Sequence, residues 1–192
     1  MRNDGSEAAP SDLNREERRL LLRVARESIS AHLRGAAFEP PEARGALARE
    51  CGAFVTLVRR AGAELRGCVG LMQSDRPLLE TVARMAVAAA TEDGRFAPVT
   101  LAELPSLAID ISVLGPMRPI RPEEVEVGRH GLLITCGRRR GVLLPQVPVE
   151  QGWDRETFLA HTCLKAGLAP DAWRLPQSEL LGFTATVFDE EG

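Results

Sequence analysis

Apolar and polar residues recur along this chain with two different periods, and the longer period marks helices. Asn14, followed three residues later by Glu17, is a capping pair that opens the first helix, and Gly35 ends it. A second helix is expected after Pro77, and Asp154 is expected to cap a third. The helical spacing therefore predicts helices over residues 15–34, 77–92 and 155–166.

Short apolar runs rich in β-branched residues predict the strands. The run Ala53–Val58 and its return Leu65–Val69 indicate a hairpin, and a second hairpin is expected to turn at the basic tip Gly137–Gly141. The segment Gly115–Gly131 is rich in Pro, Glu and Arg and is predicted to be surface loop. Strands are expected at 53–58, 65–69, 107–114, 132–136, 142–144 and 180–188. Because hairpins alternate unevenly with three helices, the pattern indicates an α+β fold.

Composition limits the class of protein further. The chain has 192 residues, a net charge of −3 and 27% charged residues, which suits a single globular domain. We expect a disordered tail over 1–12 and one domain over 13–189, with or without a small lobe. The sequence has no apolar run of about 18 residues and no signal peptide at its start, so a cytoplasmic protein without membrane contact is expected.

The chain has four cysteines, Cys51, Cys68, Cys136 and Cys163, and none of them belongs to a CxxC pair. Metal-binding cysteines typically occur in such short pairs, and disulfides are rare in a reducing cytosol. We therefore expect no metal site and no cofactor. Burial as small apolar side chains is the default for all four.

The segment Leu65–Gly70 reads Leu-Arg-Gly-Cys-Val-Gly and carries the clearest candidate chemistry. Side chains in a strand repeat with period two, so Arg66 and Cys68 are expected on one face. A neighbouring guanidinium favours the thiolate, which is the nucleophilic form of cysteine. The alternative is structural: Cys68 is a small residue where a glycine-rich strand passes close to another element.

The same segment resembles the hallmark Leu-Arg-Gly-Cys-Ile-Gly run of a known family, the AMMECR-domain proteins, with Val69 in place of Ile. Further similar segments follow in the family's order, at Asp93–Thr100, Glu103–Pro105, Ile111–Leu114, His130–Leu132, Leu144–Val147 and Lys165–Leu168. Because these matches run in order over roughly Arg15–Val187, the chain is identified as a member of that family, called protein A of the AmmeMemoRadiSam system in prokaryotes.

This resemblance implies an α+β fold with a mixed or mostly antiparallel sheet flanked by helices. It also implies two protein partners, a radical S-adenosylmethionine (radical-SAM) protein and a Memo-like protein, while the family's biochemical activity is not established. The three-cysteine pattern that ligates an iron–sulfur cluster is absent from this sequence. Any radical chemistry would therefore belong to a partner.

Two hypotheses follow for the site. In the first, Cys68 is a nucleophile or covalent carrier, and Arg66, Arg95 or His130 activates it. Arg95 could instead clamp a substrate carboxylate or phosphate, or form a structural pair with Asp93. The residues expected to bind a small-molecule or protein substrate are Arg66, Gly67, Gly70, Asp93, Arg95 and Phe96.

In the second hypothesis the chain is a non-catalytic adaptor, and Leu65–Gly70 is its docking surface. The sequence shows no complete catalytic triad, metal motif or phosphate loop, which favours this interpretation. Nucleic-acid binding is a weaker third possibility, because Arg138–Arg140 is a small basic footprint and aromatic residues make up only 4% of the chain. An open pocket that holds the Cys68 sulfur, Arg66 or Arg95, and His130 close together would support catalysis, and a thiol sealed in apolar packing would support the adaptor.

Overall fold

The computed structural model describes residues 13–190, and over this range the fold is α+β, as the sequence predicts. The helices are α1 (Arg15–Leu33), α2 (Leu78–Thr91), α3 (Gln146–Glu150) and α4 (Arg155–Lys165). The strands are β1 (Ala53–Arg59), β2 (Leu65–Leu71), β3 (Leu107–Leu114), β4 (Arg118–Pro119), β5 (Gly131–Cys136), β6 (Arg139–Leu143), β7 (Ser178–Phe183) and β8 (Ala185–Asp189). The predicted tail over 1–12 lies outside the described residues.

The described chain divides into two compact units, and its strands form two four-stranded sheets. The first unit contains the residues up to Leu114 and those from Thr186 onward, and the second is Gly115–Ala185. That both units form one domain over 13–189 stays a prediction. No helix within residues 13–190 combines the length and the apolar composition that a membrane span requires.

In the first unit the strand order is β2-β1-β3-β8, and α1 and α2 pack with this sheet in one apolar core. Alternation along β1 buries Ala53, Val55 and Leu57 on the helix side, while Phe54 and Thr56 lie half-buried on the other face. The predicted capping of α1 is confirmed: Asn14 Oδ1 accepts the Glu17 N–H at 3.0 Å, and Glu17 Oε2 accepts the Asn14 N–H at 2.9 Å. The sheet face away from the helices is the one that carries the candidate chemistry.

In the second unit the strand order is β4-β7-β5-β6, and α4 packs against β5 and β6. Asp154 caps α4 as predicted, because its carboxylate accepts the Thr157 N–H at 2.8 Å. Phe158 and Leu159 of α4 are fully buried in the core of this unit. The ring of Trp153 stacks on His161 with 3.9 Å between the centroids.

The structure corrects three sequence predictions in the second half of the chain. The strand expected over 180–188 is two strands, β7 and β8, which belong to different sheets. The hairpin after β5 turns at Gly137–Arg138, so Arg139 and Arg140 lie in β6 and not in the tip. The segment Gly115–Gly131, expected to be loop, contains the short strand β4. The short helix α3, which begins after Pro145, was not predicted.

Candidate functional site

Cys68 lies in the middle of β2, the edge strand of the first sheet, and is half-buried. Its strand partner is Thr56 of β1, whose Oγ1 donates a hydrogen bond to the Cys68 sulfur at 3.2 Å. The backbone N–H of Cys68 points away from β1 and donates to Asp93 Oδ2 at 2.8 Å. Both the side chain and the backbone of this residue are therefore held by polar partners.

Asp93 occupies this position because the chain turns sharply after α2. The Phe96 N–H donates to the Asp93 carbonyl at 3.0 Å, and the Asp93 side chain accepts the Arg95 N–H at 3.2 Å, as is typical of an aspartate that begins a turn. The turn directs the carboxylate toward the edge of β2. A residue distant in sequence thus accepts an outward-facing N–H of the edge strand.

Arg95 forms a two-pronged ion pair with the same carboxylate. Its Nε lies 2.9 Å from Asp93 Oδ1, and its Nη2 lies 2.7 Å from Oδ2. The guanidinium holds the pKa of Asp93 far below its usual range, and the carboxylate raises the pKa of Arg95. Only 7% of the Asp93 side chain is exposed, against 57% for Arg95, so the pair presents its positive end to solvent.

Arg66 is buried and pairs with Glu103, a carboxylate that Arg59 also approaches to 3.3 Å. Its Nε donates to Glu103 Oε1 at 2.7 Å and its Nη2 to Glu103 Oε2 at 3.1 Å, while the Ala97 carbonyl accepts a third hydrogen bond at 2.9 Å. The guanidinium lowers the pKa of Glu103. The Phe96 ring lies beside both cations, 5.8 Å from Arg66 Cζ and 5.5 Å from Arg95 Cζ.

The alternation expected between Arg66 and Cys68 is interrupted by a β-bulge. Leu57 pairs with Gly67 but Val58 pairs with Leu65, so Arg66 is the extra residue on β2. A bulge re-aims the side chain of the residue it inserts, and here that side chain reaches Glu103. The structure therefore gives Arg66 a partner other than the Cys68 thiol.

The two glycines beside Cys68 allow close packing of backbone and ring. A Cβ on Gly67 would lie 2.2 Å from the Ala89 carbonyl oxygen of α2. A Cβ on Gly70 would lie 2.3 Å from the Phe54 ring. Tight packing against α2 and Phe54 thus explains why these two positions are glycines. The predicted contact of Gly67 and Gly70 with a substrate stays a prediction.

His130 lies in the second unit, immediately before β5. Its Nδ1 accepts the Glu126 N–H at 3.1 Å, within the turn Glu126–His130 that leads into the strand. This contact fixes the ring locally and leaves its predicted catalytic role a prediction.

The other three cysteines lie before β1, at the end of β5 and in α4. Burial raises the pKa of Cys51 and of Cys163, and Cys163 is fully enclosed on the inner face of α4. Cys136 is half-buried at the end of β5. Among residues 13–190, no cluster of three or more His, Cys, Asp or Glu side chains is placed to hold a metal ion.

Sequence reasoning missed Glu103 as the partner of Arg66, and Thr56 and Asp110 as neighbours of Cys68 across the sheet. Thr56 lies opposite both Cys68 and Asp110, so the three residues form one row across β2, β1 and β3. Thr56 and Asp110 were visible only as polar interruptions of apolar strands, and Glu103 as part of the Glu-Leu-Pro match. Finding the row requires the register between the strands, which the sequence does not supply.

Comparison with known proteins identifies the family. The AMMECR1 family profile matches residues 22–188. A protein of Thermococcus gammatolerans is 47% identical over 182 residues, covering 89% of each chain, and a protein of Methanopyrus kandleri is 44% identical over 190 residues, covering 93% of this chain and 91% of that one. The crystal structure of the uncharacterized protein PH0010 from Pyrococcus horikoshii superposes with a TM-score of 0.83 at 43% identity, over 89% of this chain and 90% of that one. The chain belongs to the AMMECR1 family.

Proposed function

We propose that this protein is a component of a modification system that includes a radical-SAM protein and a Memo-like protein, with Cys68 at the centre of its catalytic or substrate-binding site. The partners are proposed from the resemblance between the sequence motifs and protein A of the AmmeMemoRadiSam system. The site is proposed from the surroundings of Cys68.

The observation that carries the site is the combination of polar contacts around one partly exposed cysteine. Thr56 Oγ1 contacts the Cys68 sulfur, and the Asp93–Arg95 pair lies at the Cys68 backbone nitrogen. Cysteines that are inert in proteins are typically enclosed in apolar packing, whereas reactive ones lie in partly exposed, electropositive surroundings. Cys68 shares the partial exposure, and its contacts are polar, which supports a reactive role for it.

Arg95 suits the binding of an anionic group of the substrate. Asp93 takes the Nε and one Nη2 hydrogen of its guanidinium, which carries five N–H donors in total. The remaining donors and the exposed position of Arg95 suit a carboxylate or a phosphate. Cys68 would then add to a carbonyl carbon of the bound molecule, so that the sulfur–carbon bond forms and the carbonyl π bond breaks. The π electron pair moves to the carbonyl oxygen, which takes a proton from solvent, and the thiol proton passes to solvent.

Selective alkylation tests the site. Brief treatment of the folded protein with iodoacetamide at neutral pH, followed by mass-spectrometric mapping, should label Cys68 faster than Cys51, Cys136 and Cys163. A Cys68→Ser variant should lose this fast phase and keep the slow labelling of the others. Equal, slow labelling of all four thiols would remove the support for a reactive centre.

Reconstitution tests the partners. The full chain is used to capture the radical-SAM and Memo-like proteins of the same organism, and the mixture is analysed for a modified protein or metabolite. Capture by the wild-type chain together with a product that is lost in Cys68→Ser supports the proposal. Failure of capture with correctly folded partners contradicts it.

A second candidate function is a non-catalytic adaptor that docks through Leu65–Gly70. The observation that favours it is that Arg66 is bound to Glu103, while Leu65 and Leu101, close in sequence to these two residues, are 40% and 41% exposed. Exposed apolar residues beside an edge strand suit protein contact. Capture that survives Cys68→Ser but is lost in Leu65→Ser, with no product in either reaction, would favour the adaptor.

A further inference from the structure

Thr56 contacts the reactive atom of the proposed site and is placed there by the register of the sheet. Because the Cys68 N–H donates to Asp93, Thr56 and Cys68 form a non-hydrogen-bonded pair of the antiparallel ladder. In such pairs the side chains lie closer than in hydrogen-bonded pairs. Threonine is also stiff at χ1, so the 3.2 Å contact between Oγ1 and Sγ is built into the strands.

We infer that Thr56 is a positioning residue for Cys68, whose hydroxyl orients the sulfur and donates a hydrogen bond that favours the thiolate over the thiol. This inference rests on the proposed function, because it assigns Thr56 a task only if Cys68 reacts. A thiol sulfur is a weak acceptor, whereas an ionised acceptor forms a stronger, charge-assisted hydrogen bond. The donor therefore stabilises the charged form more than the neutral one.

The charged groups around Cys68 leave this task to the hydroxyl. On its own strand, Arg66 is paired with Glu103. From the turn after α2, Asp93 and Arg95 largely offset each other's charge. From β3, Asp110 lies opposite Thr56 in the same row. The Thr56 hydroxyl, by contrast, donates a hydrogen bond directly to the Cys68 sulfur.

Alkylation kinetics of the full chain test this inference. In the labelling step the Cys68 sulfur bonds to the methylene carbon of iodoacetamide, the carbon–iodine bond breaks and iodide leaves, while the thiol proton has gone to solvent. At pH 7 the Thr56→Val variant should alkylate Cys68 about three to ten times more slowly than the wild type, and Thr56→Ser should keep most of the rate. At about pH 10, where thiols are largely ionised, the difference should become small.

The matched control is Thr135→Val, a half-buried threonine in β5 of the other sheet, which should leave the Cys68 rate unchanged. Circular dichroism and unfolding curves confirm that each variant is folded. A Thr56→Val rate within twofold of the wild type, or a Thr56→Ser rate as low as that of Thr56→Val, would overturn the inference. If wild-type Cys68 itself is no faster than the other cysteines, the proposed function fails instead, whatever Thr56 does.

Discussion

Asp93 Oδ2 lies 2.8 Å from the backbone nitrogen of Cys68, so a carboxylate takes the place that a further strand would have at the edge of β2. An open strand edge exposes unpaired N–H and C=O groups and invites pairing with other chains. Here the edge is closed at the candidate nucleophile by an acceptor that also binds Arg95. The same side chain therefore caps the edge strand and holds a guanidinium beside the candidate site.

Asp93→Asn should destabilise the protein by about 1–3 kcal/mol at pH 7, because it removes the charge from hydrogen bonds that Arg95 and Cys68 donate. The pKa of Asp93 is lowered in the folded state, so its contribution is fully present above the unfolded value of about 3.9 and is lost as pH falls below it. Urea unfolding at several pH values should show the gap between wild type and variant closing below about pH 4. Asp75→Asn, at an exposed position, is the control. A stability difference between wild type and Asp93→Asn that does not depend on pH would contradict the stabilising role of the ionised Asp93 carboxylate.

Gly67→Ala should destabilise the first unit by about 3 kcal/mol, because the new Cβ would lie 2.2 Å from the Ala89 carbonyl oxygen and β2 would have to move away from α2. Gly94→Ala, with no heavy atom within 4 Å of the added Cβ, should be close to neutral. Thermal unfolding of both variants checks this. Equal unfolding temperatures for Gly67→Ala and Gly94→Ala would contradict the prediction, because they would show that β2 moves away from α2 at no cost.

Arg66→Gln should destabilise by about 3 kcal/mol, since it leaves the Glu103 carboxylate without its bidentate partner in a largely enclosed position. In Arg66→Gln the Glu103 carboxylate keeps its ion pair with Arg59, whose Nη1 lies 3.3 Å from Oε1. The double variant Arg66→Gln/Glu103→Gln should recover part of the loss, because it removes a carboxylate charge that has lost its main partner. A double-mutant cycle in urea measures the coupling. Strictly additive effects would show that the two side chains do not stabilise each other.

Glu190→Gln should loosen the end of the first sheet and cost about 1–3 kcal/mol. The Glu190 carboxylate accepts from Arg26 Nε at 2.6 Å, from Arg60 Nη2 at 2.9 Å and from the Ile109 N–H at 3.2 Å. Glu42→Gln breaks an ion pair whose side chains are 76% and 82% exposed and should produce no measurable change. Chemical denaturation measures the free energy of unfolding of both variants. Equal losses in Glu190→Gln and Glu42→Gln would contradict the expectation that the enclosed carboxylate stabilises the protein more than the exposed one.

The first half of the fold could be predicted because its signals are local. The Asn14–Glu17 cap, the apolar run of β1 and the boundaries of α2 each depend on residues close in sequence. The division of the last apolar run into β7 and β8 could not be predicted, since the break falls at Thr184, whereas the glycine of the run, Gly182, lies within β7. Which sheet each half joins is decided by tertiary packing.

The candidate site shows the same limit. The sequence motif singled out Cys68, Asp93 and Arg95, and the structure joins the last two to the Cys68 backbone. The motif could not reveal that Arg66 is the extra residue of a β-bulge, because a bulge changes the strand pairing without changing the apolar pattern of the sequence. The position of Thr56 depends on register, which is set between strands and not along them.

The second unit interrupts the first sheet as an insertion whose two ends meet. Its first and last residues are Gly115 and Ala185, and the Gly115 N–H donates to the carbonyl of Thr184 at 2.8 Å. The strands that flank the insertion, β3 and β8, are neighbours in the first sheet. Loop-closure entropy grows with the number of flexible residues between two contacts. Once the insertion has folded, bringing β8 to β3 costs no more entropy than closing a tight turn, and the sheet is completed as if the two strands were consecutive.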